Sequence, residues 1–143
     1  MYTDASIHDY LKRYFGFDTF KGNQGPIITS VLEGNDTFVL MPTGGGKSLC
    51  YQLPAVMMDG TAVVISPLIA LMKDQVENLN QRGIKALAIY SGMSSQEIKI
   101  AMDNAVWGDY KFLYLSPERI ATERFRERIN KLDVNLIAVD EAH

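Results

Sequence analysis

Five short apolar runs, separated by helical stretches, constrain the fold of this chain more than any other feature. The runs are 38–41 (FVLM), 62–66 (AVVIS), 86–90 (ALAIY), 112–115 (FLYL) and 136–139 (LIAV). None alternates cleanly between apolar and polar residues, which is typical of strands buried on both faces of a parallel sheet. Helices between successive parallel strands are the crossover connections that such a sheet requires. The sequence therefore predicts an α/β fold, with a parallel β-sheet and helices on both faces.

The predicted helices show apolar residues three and four positions apart and have recognisable ends. Two precede the first strand, at 4–15 with Gly16 as its stop and from about Pro26 to Glu33 with Gly34 closing it. Four more follow: one after Lys47 with a kink at Pro54, a stripe of Leu68, Leu71, Met72, Gln75, Val76 and Leu79 ended by Gly83, one entered by a Ser94–Glu97 capping box, and one entered at Ser116–Pro117.

The composition fits one globular domain and excludes several classes of protein. The 143 residues carry a formal net charge of −3, so the chain lacks the basic surface of a self-sufficient nucleic-acid binder, and any such contact must be local. No apolar stretch is long enough to span a membrane, and the N-terminus does not have the pattern of a secretory signal. We expect a cytoplasmic protein, associated with the nucleoid if it is bacterial. The single cysteine, Cys50, is interpreted as a buried apolar residue on a helix.

A glycine-rich stretch, PTGGGKS at 42–48, lies between the first predicted strand and a predicted helix. This is the context of a phosphate-binding loop, in which backbone N–H groups and the helix dipole face the phosphates. Lys47 would reach the β and γ phosphates, and the Ser48 hydroxyl would hold Mg²⁺. Met41 stands where the usual signature has its first glycine. The alternative is a flexible turn with a solvated lysine. The other candidate loop residues are Thr43, Gly44, Gly45 and Gly46.

An acidic motif, DEAH at 140–143, follows the last apolar run directly. The carboxyl end of a buried parallel strand is where ligands bind in open α/β sheets. Asp140 is a candidate Mg²⁺ ligand, Glu141 a candidate base for the water that attacks the γ-phosphate, and His143 a further candidate catalytic residue. Alone, such residues are often only the polar start of a loop, and it is their combination with the glycine loop that indicates an ATP site.

PTGGGKS together with DEAH resembles motifs I and II of the superfamily-two helicases. The segment FGFDTFKGNQ at 15–24 resembles motif 0 of the RecQ family, in which an aromatic and a basic residue sandwich adenine and a glutamine binds its edge. The resemblance assigns these roles to Phe17, Lys21 and Gln24. Lys21 departs from the arginine that is usual there, which implies weaker stacking. The alternative is that Phe17 belongs to the core and Gln24 only caps the next helix.

Two further segments resemble RecQ motifs Ia and Ib: SPLIALMKDQV at 66–76 and YLSPERI at 114–120. The resemblance makes Ser66, Lys73, Ser116 and Arg119 candidate contacts to the nucleic-acid backbone. A solvated Lys73 and an Arg119 held in a structural ion pair are the alternatives for these two residues.

The resemblance implies a RecA-like P-loop NTPase lobe over 1–143, with a helical motif 0 segment at 1–34, truncated after motif II. It implies ATP and Mg²⁺ as cofactors and DNA, single-stranded or as a tailed duplex, as partner. A second RecA-like lobe, absent from these residues, would supply arginine fingers, and the whole would unwind DNA 3′ to 5′ in repair or recombination. An RNA helicase of the DEAD-box or DEAH-box type and a nucleotide-dependent module that never hydrolyses ATP remain as alternatives.

Overall fold

The computed structural model describes residues 2–34, 47–120, 127 and 130–139, so the predicted strand at 38–41 lies outside the described residues. The chain folds as two compact units, 1–59 and 60–143. The elements in chain order are α1 (Asp4–Tyr10), a π-helical turn (Leu11–Phe15), α2 (Gln24–Leu32), α3 (Lys47–Met57), β1 (Thr61–Ile65), α4 (Ile69–Gln81), β2 (Ala86–Ile89), α5 (Ser95–Trp107), β3 (Phe112–Leu115), α6 (Pro117–Ile120) and β4 (Val134–Val139).

The predicted helix at 4–15 is confirmed, but its last turn is π-helical instead of α-helical. Thr3 caps it, because the Thr3 hydroxyl accepts from the Ser6 N–H while the Ser6 hydroxyl accepts from the Thr3 N–H. Gly16 ends it with φ 76°, a left-handed conformation that favours glycine, as predicted. The buried residues of this helix lie four apart, on one face: Ile7, Leu11 and Phe15.

Helix α2 begins at Gln24, two residues before the predicted start. Pro26 therefore lies inside the first turn, where its missing N–H removes no helical hydrogen bond. Helix α3 contacts both α1 and α2 and runs through Pro54 to Met57. Cys50 on α3 is buried, as predicted, and this burial raises the pKa of its thiol.

The sheet of unit 60–143 is parallel, as predicted, with strand order β2-β3-β1-β4. One face of the sheet packs against α5 and forms an apolar core, to which every second residue of a strand contributes. Its buried members are Val63, Ile89, Leu113 and Leu115 on the strands and Ala101, Met102 and Ala105 on α5.

Helix α4 contacts β2 and β3 through the opposite face, so that helices cover both faces of the sheet, as predicted. Met72 and Leu79 are its buried residues. The prediction that Leu68 belongs to this inward stripe is wrong, because Leu68 is the extended N-cap residue and its side chain is 49% exposed. Gly83 follows α4 with φ 82°, at the predicted stop.

Strand β4 begins at Val134, two residues before the predicted run. The prediction that this strand is buried on both faces is wrong, since Ile137 is 63% and Val139 is 60% exposed. Among the described residues β4 is an outer strand of the sheet, where it pairs with β1, and the helix contacts of the sheet are mainly with β2 and β3. Helix α5 also exposes a large side chain, because Trp107 at its end is 83% exposed. None of the helices in the described ranges is long and apolar enough to cross a membrane.

Candidate nucleotide and nucleic-acid site

The carboxyl ends of β1 and β3 bring Ser66 and Ser116 together. Ile65 of β1 pairs with Leu115 of β3, and the two serines follow these residues directly in the sequence. The Ser66 N–H donates to the Leu115 carbonyl at 2.9 Å, and the Ser116 N–H donates to the Ile89 carbonyl at 3.2 Å. Neighbouring strands lie about 4.8 Å apart, so the two serines of motifs Ia and Ib are adjacent on one edge of the sheet.

The two serine hydroxyls differ in their hydrogen bonding. Ser66 is buried, and its hydroxyl accepts from the Leu68 N–H at 3.3 Å, which fixes the entry into α4. Ser116 is 2% exposed, and its Oγ has no hydrogen-bond partner among the described residues. A buried hydroxyl without a partner costs free energy, so Ser116 is the better candidate for a contact with a ligand oxygen.

Lys73 is exposed on α4, and its Nζ lies 4.7 Å from the centroid of the Tyr90 ring. The ring therefore holds the ammonium group at the carboxyl end of β2 by a cation–π contact. The sequence analysis placed Tyr90 at the end of an apolar run and gave it no role. The signal that could have identified Tyr90 is the presence of an aromatic residue at the carboxyl end of a parallel strand. Arg119 lies in α6, and its side chain is outside the described part of the structure.

The motif 0 residues lie between α1 and α2 and are only partly brought together. Phe17 is 47% exposed, so the alternative that it belongs to the core is wrong. Gln24 is buried, and its Oε1 accepts from the Lys21 N–H at 2.9 Å. This bond closes the turn ahead of α2, whose N-cap residue is Asn23 and makes no side-chain cap hydrogen bond. Lys21 itself is exposed.

Most of the phosphate loop and the acidic motif lie outside the described residues. The helix predicted after the loop is confirmed, since α3 begins at Lys47 and places the half-buried Ser48 in its first turn. The side chain of Lys47 is not described, nor are residues 43–46. The strand predicted before Asp140 is also confirmed, and its last residue, Val139, pairs with Ile65 at the same edge as the serines. Asp140, Glu141 and His143 follow beyond the described residues.

Comparison with known protein families decides the identity. The model of the family described as DEAD/DEAH box helicase matches residues 21–143. This chain belongs to that family. Among curated proteins, this chain is 46% identical to the probable ATP-dependent DNA helicase RecS of Bacillus subtilis over 97% of its own length. It is 48% identical over 93% of its length to the ATP-dependent DNA helicase RecQ of the same species. The resemblance to RecQ helicases is therefore confirmed.

This chain spans 28% of the length of RecS and 23% of the length of RecQ. Solved structures agree with its fold. It superposes on the helicase MrfA with a TM-score of 0.74 at 23% identity, covering 93% of this chain and 20% of MrfA. A hypothetical ATP-dependent RNA helicase from Sulfolobus tokodaii gives a TM-score of 0.71 at 20% identity, covering 96% of this chain and 41% of that one. The RecA-like α/β fold predicted from the sequence is confirmed.

Proposed function

We propose that this chain is the first motor lobe of an ATP-dependent DNA helicase that moves 3′ to 5′ along one strand. The observation that carries the proposal is the shared carboxyl edge of the sheet. Motif Ia begins at the end of β1, motif Ib spans the end of β3, and the acidic motif follows β4 in the sequence. Ligands bind at this edge in open parallel sheets.

The ATP site in this proposal is formed by the glycine loop, the first turn of α3 and the acidic motif. Lys47 binds the β and γ phosphates, Glu141 orients and deprotonates the attacking water, and His143 is a further catalytic residue. The Ser48 hydroxyl and the Asp140 carboxylate fit Mg²⁺, because both are hard oxygen donors. When bound, the ion neutralises charge on the phosphate oxygens. Phe17, Lys21 and Gln24 bind the adenine.

The nucleic-acid contacts in this proposal are Ser66, Lys73, Ser116 and Arg119. The Ser116 hydroxyl supports it, because it has no hydrogen-bond partner in the described part of the chain and a phosphate oxygen would satisfy it. The relatives are named as DNA helicases, which favours DNA over the RNA alternative. The chain covers about a quarter of their length, and we propose that a second RecA-like lobe contributes arginines to the γ-phosphate when the cleft closes.

Two substitutions test the ATP site in the complete protein. Lys47→Ala is expected to weaken ATP binding and to lower DNA-stimulated hydrolysis at least about a hundredfold, because it removes a preorganised positive charge. Glu141→Gln is expected to lower turnover by about 10² or more while ATP still binds, because it removes the base. Lys99→Ala, an exposed lysine on α5, is the matched control. Unchanged ATP affinity and hydrolysis in Lys47→Ala would refute the site.

Substrate choice is tested by strand displacement. We expect the complete protein to unwind a DNA duplex with a 3′ single-stranded tail, and not a 5′-tailed duplex or an RNA duplex of the same sequence. Preference for the RNA duplex would support the DEAD-box or DEAH-box alternative. If Glu141→Gln left both turnover and the lifetime of the ATP complex unchanged, the non-hydrolysing alternative would be supported.

A further inference from the structure

A groove with a volume of about 640 Å³ lies between α4 and β2. We call it the α4–β2 groove. It is lined on α4 by Lys73, Val76, Glu77, Asn80 and Gln81, on β2 by Ala88, and directly after β2 by Tyr90. Its size is within the range of small-ligand sites. None of the roles proposed above uses it, apart from the placement of Lys73.

The hydrogen bonds of β2 restrict what the groove accepts. The Lys85 and Ile89 carbonyls accept from β3, so the N–H and C=O of Ala86 and Ala88 point the other way, toward the outer edge. The Asn80 side chain satisfies both of these backbone groups of Ala86. Its Oδ1 accepts from the Ala86 N–H at 3.0 Å, and its Nδ2 donates to the Ala86 carbonyl at 3.3 Å.

A second contact satisfies the outward-pointing backbone at the carboxyl end of β2. The Tyr90 N–H donates to Met93 Sδ at 3.5 Å. An added β-strand needs several successive backbone pairs, and these two contacts leave only the peptide groups of Ala88 between them. A single planar group with one donor and one acceptor on its edge fits such a position, and a nucleobase is such a group.

Charge and position relate the groove to the proposed DNA path. Ile89 pairs with Leu115, so Tyr90 lies beside Ser116 in the same row of strand ends that contains Ser66. Lys73, held over the Tyr90 ring, supplies a positive charge at this end of the groove. Glu77 lies one helical turn further along α4 and is negative, which keeps a phosphate at the Lys73 end.

We propose that the α4–β2 groove binds one unpaired nucleotide of the DNA strand. Its phosphate contacts the Lys73 ammonium, and its base contacts the apolar wall of Val76, Ala88 and Tyr90. The inference rests on the proposed helicase function and extends the DNA-contacting edge by one strand beyond Ser116. Aromatic contacts with bases accept any sequence, so the groove holds the strand without reading it.

Binding of the complete protein to a fluorescent oligothymidylate tests the proposal. Tyr90→Ala is expected to weaken binding about fivefold or more, and Tyr90→Phe to remain near wild type, because phenylalanine keeps the ring. Lys73→Ala is expected to weaken binding and to reduce the slope of log K against log salt by about 0.7, the value for one phosphate on a single strand.

Lys85→Ala is the matched control. The Lys85 Nζ lies 4.6 Å from the centroid of the Tyr110 ring, so it forms the same kind of pair, but Lys85 precedes β2 and Tyr110 precedes β3, at the opposite edge of the sheet. We expect this variant to keep the wild-type affinity and salt slope. An equal loss in Lys85→Ala and Lys73→Ala would show general charge attraction and would overturn the groove.

An oligonucleotide of abasic sites separates base contact from phosphate contact. Tyr90→Ala is expected to lose less affinity for it than for oligothymidylate, because only the smaller effect of releasing Lys73 from the ring remains. Lys73→Ala is expected to lose the same factor on both oligonucleotides. If Tyr90→Ala bound oligothymidylate as tightly as wild type, the groove proposal would fail, while DNA binding by the wild type and loss of hydrolysis in Lys47→Ala would leave the proposed function standing. Absence of DNA binding by the wild type would refute both.

Discussion

Gly60 is the residue at which backbone conformation and packing both require glycine. It precedes β1 with φ 101°, and a Cβ there would overlap the carbonyl oxygen of Asp133. That carbonyl accepts from the Thr61 N–H at 2.7 Å, at the start of the β1–β4 pairing. Gly83 also has a positive φ, 82°, but nothing lies within 4 Å of its ideal Cβ position. Comparing alanine substitutions at Gly60 and Gly83 therefore separates the free-energy cost of a left-handed backbone from the cost of a steric clash.

We expect Gly83→Ala to lower the free energy of unfolding by about 1–2 kcal/mol, the cost of a left-handed alanine. Gly60→Ala is expected to lower it further, because the Asp133 carbonyl must also move and the Thr61 hydrogen bond is lost. Urea unfolding followed by far-ultraviolet circular dichroism measures both. Equal losses in the two variants would show that the Asp133 contact has no energetic weight.

At the scale of elements, the N-terminus of α5 depends on a reciprocal pair. The Ser94 hydroxyl accepts from the Glu97 N–H at 3.1 Å, and the Glu97 carboxylate accepts from the Ser94 N–H at 2.9 Å. The hydrogen bonds from the Ser94 backbone and then from its side chain lower the pKa of Glu97. A lowered pKa in the folded state means that the charged form adds stability above the unfolded-state pKa and loses it as the pH falls through the folded-state pKa.

Ser94→Ala is expected to cost about 1 kcal/mol of unfolding free energy at neutral pH, with the exposed neighbour variant Ser95→Ala as control. Glu97→Gln is expected to be less stable than wild type at neutral pH and to match it once the carboxyl group is protonated in acid. Unfolding titrations at several pH values test both. A difference between wild type and Glu97→Gln that persisted in acid would contradict the charge argument.

The elements that local signals specify were predicted well. The Ser94–Glu97 box, the stop at Gly16 and the run at 112–115 are encoded within a few residues, and the structure confirms each. Tertiary placement was not. Leu68 fits a helical stripe by spacing, but its exposure is set by the extended backbone after Ser66, and Ile137 is apolar but lies on an edge strand. Strand order cannot be read from local periodicity.

The residues of the candidate site could be predicted from motifs, but the contacts between their side chains could not. Ser66 and Ser116 were predicted from motifs, and the register of β1 with β3 shows that they are neighbours. The Gln24–Lys21 bond and the Lys73–Tyr90 contact depend on side-chain geometry that no sequence spacing specifies. The roles of Lys47, Asp140, Glu141 and His143 remain predictions.

At the scale of the whole molecule, the lobe is one half of the proposed catalytic cleft. An arginine finger contributes about 10³ to 10⁵ in rate where it has been measured. We therefore expect the isolated 143 residues to bind ATP weakly, to hydrolyse it slowly and to unwind no duplex. Hydrolysis and strand-displacement assays on the isolated chain and on the complete protein test this. Strong DNA-stimulated turnover by the isolated chain would contradict the need for a second lobe.

Trp107 is the single tryptophan of the chain, and its ring is already in water in the folded state. Its fluorescence emission in the native protein will therefore resemble that of free indole, and denaturation will shift it little. Intrinsic emission will understate unfolding, while a blue shift at constant circular dichroism will report that another molecule has covered the end of α5.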